Sequence, residues 1–163
     1  MKNRFITSAK GITLVELLVS LALVGVVSTL IVGVLVSGTK SFEKVSKEVS
    51  LHDEANYIMT MFANEIFEAT SVTSVPSVPE GEKTKLISIT KYGSAEEIQL
   101  GFDNEQAVIK GKPLHSSSIK ILNSSQMKVY DGTVHINLAV QGKDTKKVTL
   151  TSEVSFVNVE KEE

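Results

Sequence analysis

A single carboxylate sits inside an apolar run from Ile12 to Val36, and together they leave this chain few options. Glu16 is the only charged residue in those 25 positions. As an α-helix rising 1.5 Å per residue, the run covers about 38 Å, enough to cross a hydrocarbon core of roughly 30 Å with some tilt. A carboxylate at bilayer depth costs roughly 2.5–3.5 kcal/mol on insertion scales, so Glu16 is expected to have both a function and a partner. Upstream, residues 1–11 carry Lys2, Arg4 and Lys10 and no acidic side chain. That charge favours keeping the amino-terminal end in the cytoplasm and placing the rest outside.

An ordinary secretory leader puts its cleavage site after the apolar region, at small residues of A-x-A type. No A-x-A follows this run, and Ser37-Gly38-Thr39 is a weak substitute. The order found here is a basic leader, Gly11, then an apolar stretch with Glu16 at its fifth position and Leu14, Leu17 and Leu18 around it. This resembles the signal of type IV prepilins and pseudopilins. The resemblance implies cleavage after Gly11 by a prepilin peptidase and methylation of the new amino terminus at Ile12, where the family more often has Phe. It implies that Glu16 pairs with the Ile12 amine of a neighbouring subunit in a filament of pilins or pseudopilins. It implies, less directly, a membrane platform protein and an assembly ATPase. Related systems serve type II secretion, pilus function or DNA uptake by competent bacteria. Pro113-Leu114 ahead of strands, and the final run from Leu150 to Asn158, are similar to minor pseudopilins of the J or W type.

Physical chemistry gives such a pair its meaning. Attraction between opposite charges rises in a low-dielectric core, although desolvation offsets much of it. The larger effect is on register, because a subunit seated one turn off leaves a buried charge alone. Gly25 and Gly33 interrupt the apolar run, and each costs about 1 kcal/mol of helix propensity relative to Ala. They fit either local weakening of the helix during assembly or close approach of neighbouring helices through small residues, together with Ser28 and Thr29.

The helical pattern continues past the apolar run. Leu51, Ala55, Ile58, Phe62, Ile66 and Ala69 recur at helical steps, and no Pro occurs before Pro76. One helix is expected from Ile12 to about Thr70. Residues 71–81, with Pro76, Pro79 and Gly81, read as a loop. Seven β-like runs follow: 86–90, 97–102, 106–110, 118–122, 126–130, 134–140 and 147–159, the last with a bulge or break near Ser152. Asp131-Gly132 signals a tight hairpin, and Gly142-Lys143-Asp144 another turn. The expected class is α+β, a long N-terminal helix packed on an antiparallel sheet. The corresponding segments are a leader (1–11), a membrane or filament-core helix (12–36), an amphipathic helix (37–70) and a β-rich head (71–163).

Little in the head points to catalysis, a cofactor or a metal. There is no Cys, so neither a disulfide nor thiolate chemistry is available. His52, His115 and His135 lie far apart without metal-ligand spacing, and Asp103-Asn104-Glu105 lacks the further ligands of a calcium loop. No nucleophile elbow or phosphate-binding loop appears. Net charge is −2 and the lysines of the β region are spread mostly singly, so direct nucleic-acid binding is not indicated. The leading expectation is a non-enzymatic filament subunit. Its rivals are an uncleaved, membrane-anchored extracellular binding module and an exported enzyme with an inconspicuous site.

Overall fold

The computed structural model describes residues 13–157, which fall into two units divided between Glu43 and Lys44. Helix α1 runs from Leu14 to Phe67. Within the first unit its large apolar side chains from Leu14 to Val36 are 48–74% exposed among the described residues. Ser20, Ser28 and Thr29 donate their hydroxyls to the carbonyls of Glu16, Val24 and Val26. Their polarity is thus satisfied within the helix, as an apolar surrounding requires.

In the second unit α1 becomes amphipathic. Leu51, Ala55, Ile58, Met59, Phe62 and Ile66 are buried along one face. The helix ends at Phe67, three residues short of the expected boundary, and Ala69 is buried in a strand. That strand, β1 (Ala69–Val75), replaces much of the expected loop. The physical reason lies in composition: Thr70, Val72, Thr73 and Val75 are β-branched and suit a pleated strand, while the first chain-turning residue is Pro76.

Nine further strands follow: β2 (Lys83–Thr84), β3 (Leu86–Lys91), β4 (Glu97–Asp103), β5 (Gln106–Ile109), β6 (Lys112–Pro113), β7 (Ile119–Ile121), β8 (Gln126–Tyr130), β9 (Thr133–Gly142) and β10 (Val148–Ser155). They build two antiparallel sheets rather than the one expected. The first has the order β1-β3-β4-β5-β6. The second has the order β10-β9-β8-β2, with β7 also paired to β9. All seven expected strands are present; β1, β2 and β6 were not foreseen. The class is α+β.

Two-residue hairpins set the registers. Asp131 and Gly132 both take positive φ between Tyr130 and its partner Thr133, the geometry that Asp-Gly favours. Asn104-Glu105 and Lys110-Gly111 turn in the same way, closing β4–β5 and β5–β6. The expected break near Ser152 is absent. β10 pairs with β9 continuously from Val148↔Val140 to Ser155↔Thr133. Ser152 is a small polar residue at an inward position opposite Ile136, half-buried on an edge strand, so the alternation of residue types falters while the ladder does not.

Both sheets close onto the buried face of α1. Ile87 and Ile89 of β3, Leu100 and Phe102 of β4, and Val134, Ile136, Leu138 and Val140 of β9 belong to one core cluster with the helix residues. Phe62 meets Phe102 edge to face, with ring centroids 5.6 Å apart. Where β7 and β8 share one side of β9, the buried Ser125 fills the gap. Its hydroxyl accepts from Ala139 N at 2.9 Å and donates to Ala139 O at 3.1 Å.

Candidate functional site

The first turn of α1 holds Glu16, and the structure gives it a partner that the sequence reading did not. Thr13 precedes the helix as its N-cap. Its hydroxyl accepts from Glu16 N at 3.2 Å. In return Glu16 Oε2 accepts from Thr13 N at 3.2 Å and from Thr13 Oγ1 at 3.3 Å. This is the reciprocal capping box written in sequence as T-x-x-E, a legible signal. A carboxylate at a helix amino terminus also meets the positive end of the helix dipole. The charge that looked unsupported is therefore held by its own chain. Both bonds use Oε2; Oε1 makes no hydrogen bond among the described residues. Gly11 and Ile12 lie outside the described residues.

At Gly25 and Gly33 the helix continues without interruption. An added Cβ would meet no atom within 4 Å at either position. Among the described residues, therefore, nothing requires a small residue there.

The head offers several polar clusters, none arranged for catalysis among the described residues. His115 Nε2 accepts from Ala107 N at 3.2 Å, and Nδ1 lies 2.8 Å from Ser116 O, so both ring nitrogens serve the backbone. His135 Nδ1 lies 3.1 Å from Glu153 Oε1 on the outer face of the second sheet. This pair lines an open cleft of about 820 Å³ with Lys128, Tyr130 and Asn137. His52 is exposed on α1. The three histidines stay apart, and no group of three metal-ligating side chains forms among the described residues. Asp103-Asn104-Glu105 is a hairpin turn, with Glu105 paired to Lys120 at 3.0 Å.

A tie of helix to sheet was not legible in sequence. Lys91 at the end of β3 reaches Glu68 at 2.7 Å and Glu65 at 3.0 Å. The Glu68 carboxylate, which accepts a hydrogen bond from the Lys91 ammonium, and then the Glu65 carboxylate beside it raise the Lys91 pKa above its ordinary value. Glu65 Oε2 is buried and has the Lys91 ammonium as its ionic neighbour. Near the β3–β4 turn, Lys110 meets Glu96 at 2.8 Å and lowers the Glu96 pKa by hydrogen bonding and then by charge.

Comparison with known proteins singles out the amino-terminal region. Residues 6–32 match the model of the prokaryotic N-terminal methylation motif. No curated protein and no solved structure matches the chain. The matched region spans Gly11, Ile12, Thr13, Glu16 and Gly25, and it is a type IV pilin-like prepilin signal. Such a signal implies processing by prepilin peptidase and assembly with other pilins. The apolar helix, which is long and apolar enough to span a bilayer, fits membrane anchoring.

Proposed function

We propose that this chain is the precursor of a minor pilin or pseudopilin, a structural subunit of a type IV pilus-like filament. It enters the membrane once, with its leader in the cytoplasm. Prepilin peptidase cuts after Gly11 and methylates the amine of Ile12. A platform protein and an assembly ATPase then lift the subunit into a filament serving secretion, pilus function or DNA uptake. Residues 12–36 form the filament core, and the head after about Pro76 faces outward.

One observation carries this reading: the only ionisable side chain in an exposed apolar helix stands five residues after the Gly of a prepilin signal. The capping box gives the mechanism a starting state. In the stored precursor Thr13 occupies Oε2, which lessens the cost of holding a carboxylate in the bilayer. Oε1 stays open to the Ile12 amine of an adjoining subunit. A charge-assisted bond formed there in a dry core is stronger than a neutral one and rejects wrong registers. Gly25 and Gly33 contribute on the same helix, by local stretching or by close helix approach.

The test is to coexpress the full chain with a prepilin peptidase and determine the mature amino terminus by mass spectrometry. The reading expects Ile12 carrying one added methyl group. An intact Met1 despite active peptidase would favour the uncleaved anchored module.

A further inference from the structure

The head is electrically lopsided. The β9–β10 turn presents Lys143, Lys146 and Lys147, all exposed, beside the start of the head's portion of α1. A Cβ on Gly142 would lie 3.7 Å from Leu51 Cδ1, so turn and helix are packed together. Ser46, Lys47, Ser50, Lys143 and Thr145 share a hollow of about 340 Å³ there. Glu54 also lines it, but its carboxylate accepts from Ser116 N at 2.7 Å. Lys44 sits one turn before Lys47.

Against these five lysines stand Glu43, Glu48, Glu54 and Asp144. Across the rest of the described head, eleven acidic residues face seven lysines. Elsewhere in the head Lys91, Lys110 and Lys120 are bonded to carboxylates, whereas Lys83, Lys85, Lys112 and Lys128 have no such partner among the described residues. None of the five lysines at the basic end has a carboxylate partner among the described residues; Lys147 reaches only the Ser124 hydroxyl, at 3.3 Å. Charge left unpaired at one end of an otherwise acidic body is available to an outside anion.

We propose that this end docks on the anionic phospholipid headgroups of the membrane that the apolar helix enters, holding the head down before assembly. The inference rests on membrane anchoring through residues 12–36. At 1.5 Å per residue, Lys44 and Lys47 follow Val36 by at most about 12 and 17 Å of helix. The headgroup layer takes up roughly 5–8 Å of that path. The remainder is close to one Debye length, about 8 Å at physiological salt, so the lysines feel an anionic surface. Hydroxyls of Ser46, Ser50 and Thr145 add donors for phosphate oxygens.

The experiment exploits the absence of Cys. Full-length protein carrying a fluorophore on Ser117→Cys, beside the hollow, is reconstituted into vesicles of phosphatidylcholine alone or mixed with phosphatidylglycerol. A second preparation carries the fluorophore on Ala95→Cys, in the β3–β4 turn. Headgroup spin labels report approach by quenching. Expected is strong quenching at position 117 in the mixed vesicles only, and its loss in 1 M salt, where the screening length falls to about 3 Å. Each lysine neutralised should lower the ratio of docked to free heads about fivefold, equivalent to the roughly 1 kcal/mol a lysine gains near such a surface. The combined Lys47→Gln, Lys143→Gln, Lys146→Gln and Lys147→Gln variant should therefore dock no longer. Equal quenching in both vesicles, equal quenching at position 95, or an unaffected variant would overturn the proposal. Release by inorganic phosphate at fixed ionic strength would overturn it in favour of a discrete phosphate site. Failure of the chain to float with either vesicle would refute anchoring itself, a result distinct from insertion without charge-dependent docking.

Discussion

Replacing Glu16 separates the capping role that the structure shows from the pairing role proposed for the same carboxylate. As a helix cap it satisfies Thr13 through two bonds to Oε2, and such a cap is worth about 1 kcal/mol. As a charge it would meet the amine of a neighbour. At 4 Å and an effective dielectric constant near 20 that attraction is about 4 kcal/mol before desolvation. Removing one partner strands the other, which costs about 3–5 kcal/mol in a buried setting. At about 1.4 kcal/mol per tenfold change, Glu16→Ala should lower incorporation into filaments by roughly two to three and a half orders of magnitude. Glu16→Gln keeps an acceptor for Thr13 and loses only the charge, so it should recover no more than about fivefold over Ala, the worth of the cap. The assay coexpresses tagged variant and parent, confirms leader removal for both, and compares their ratio in sheared filaments with that in membranes. Restoration by Gln to near-parental incorporation would refute the charge argument and leave only helix capping.

Other expectations concern the head. Phe62→Ala removes a side chain with no solvent exposure and its edge-on contact with Phe102, so urea unfolding should show a loss of about 3–5 kcal/mol; a loss below about 1 kcal/mol would contradict the packing described. Gly101→Ala should cost about 1–3 kcal/mol in the same assay, because φ is 145° and a Cβ would collide with the Lys85 carbonyl and lie 2.9 Å from Leu86 Cα. Thermal scans across pH should reveal the Lys91 tie. Its pKa is raised by folding, so its contribution is complete below 10.5 and fades as pH climbs through the higher folded value. Lys91→Met should flatten that alkaline loss. Glu96 behaves oppositely: its pKa is lowered by folding, so its contribution holds above 4.5 and fades as pH falls, and Glu96→Gln should remove that part of the acid sensitivity.

Local pattern determined what was readable in the sequence. The face Leu51, Ala55, Ile58, Phe62 and Ile66 was legible because helical spacing alone encodes it. The Asp131-Gly132 hairpin was legible because that dipeptide suits two successive positive φ values. The division into two sheets was not, since strand order depends on long-range pairing that no local residue specifies. β1 was hidden by Ser and Thr, which suit both loops and strands, and β6 by its two-residue length. At the candidate site the carboxylate stood out by its cost, whereas its capping partner required reading Thr13 and Glu16 as a pair. The Lys91 tie joins residues 23 and 26 positions apart, beyond any local signature.

The account's central claim concerns two atoms in a polymer. A reconstruction of native filaments at side-chain resolution would measure the separation between the Ile12 amine of one subunit and the Glu16 carboxylate of the next. The account predicts an ion-pair distance of no more than about 4 Å. A core in which Glu16 meets only its own Thr13, with every Ile12 amine farther away, would contradict it.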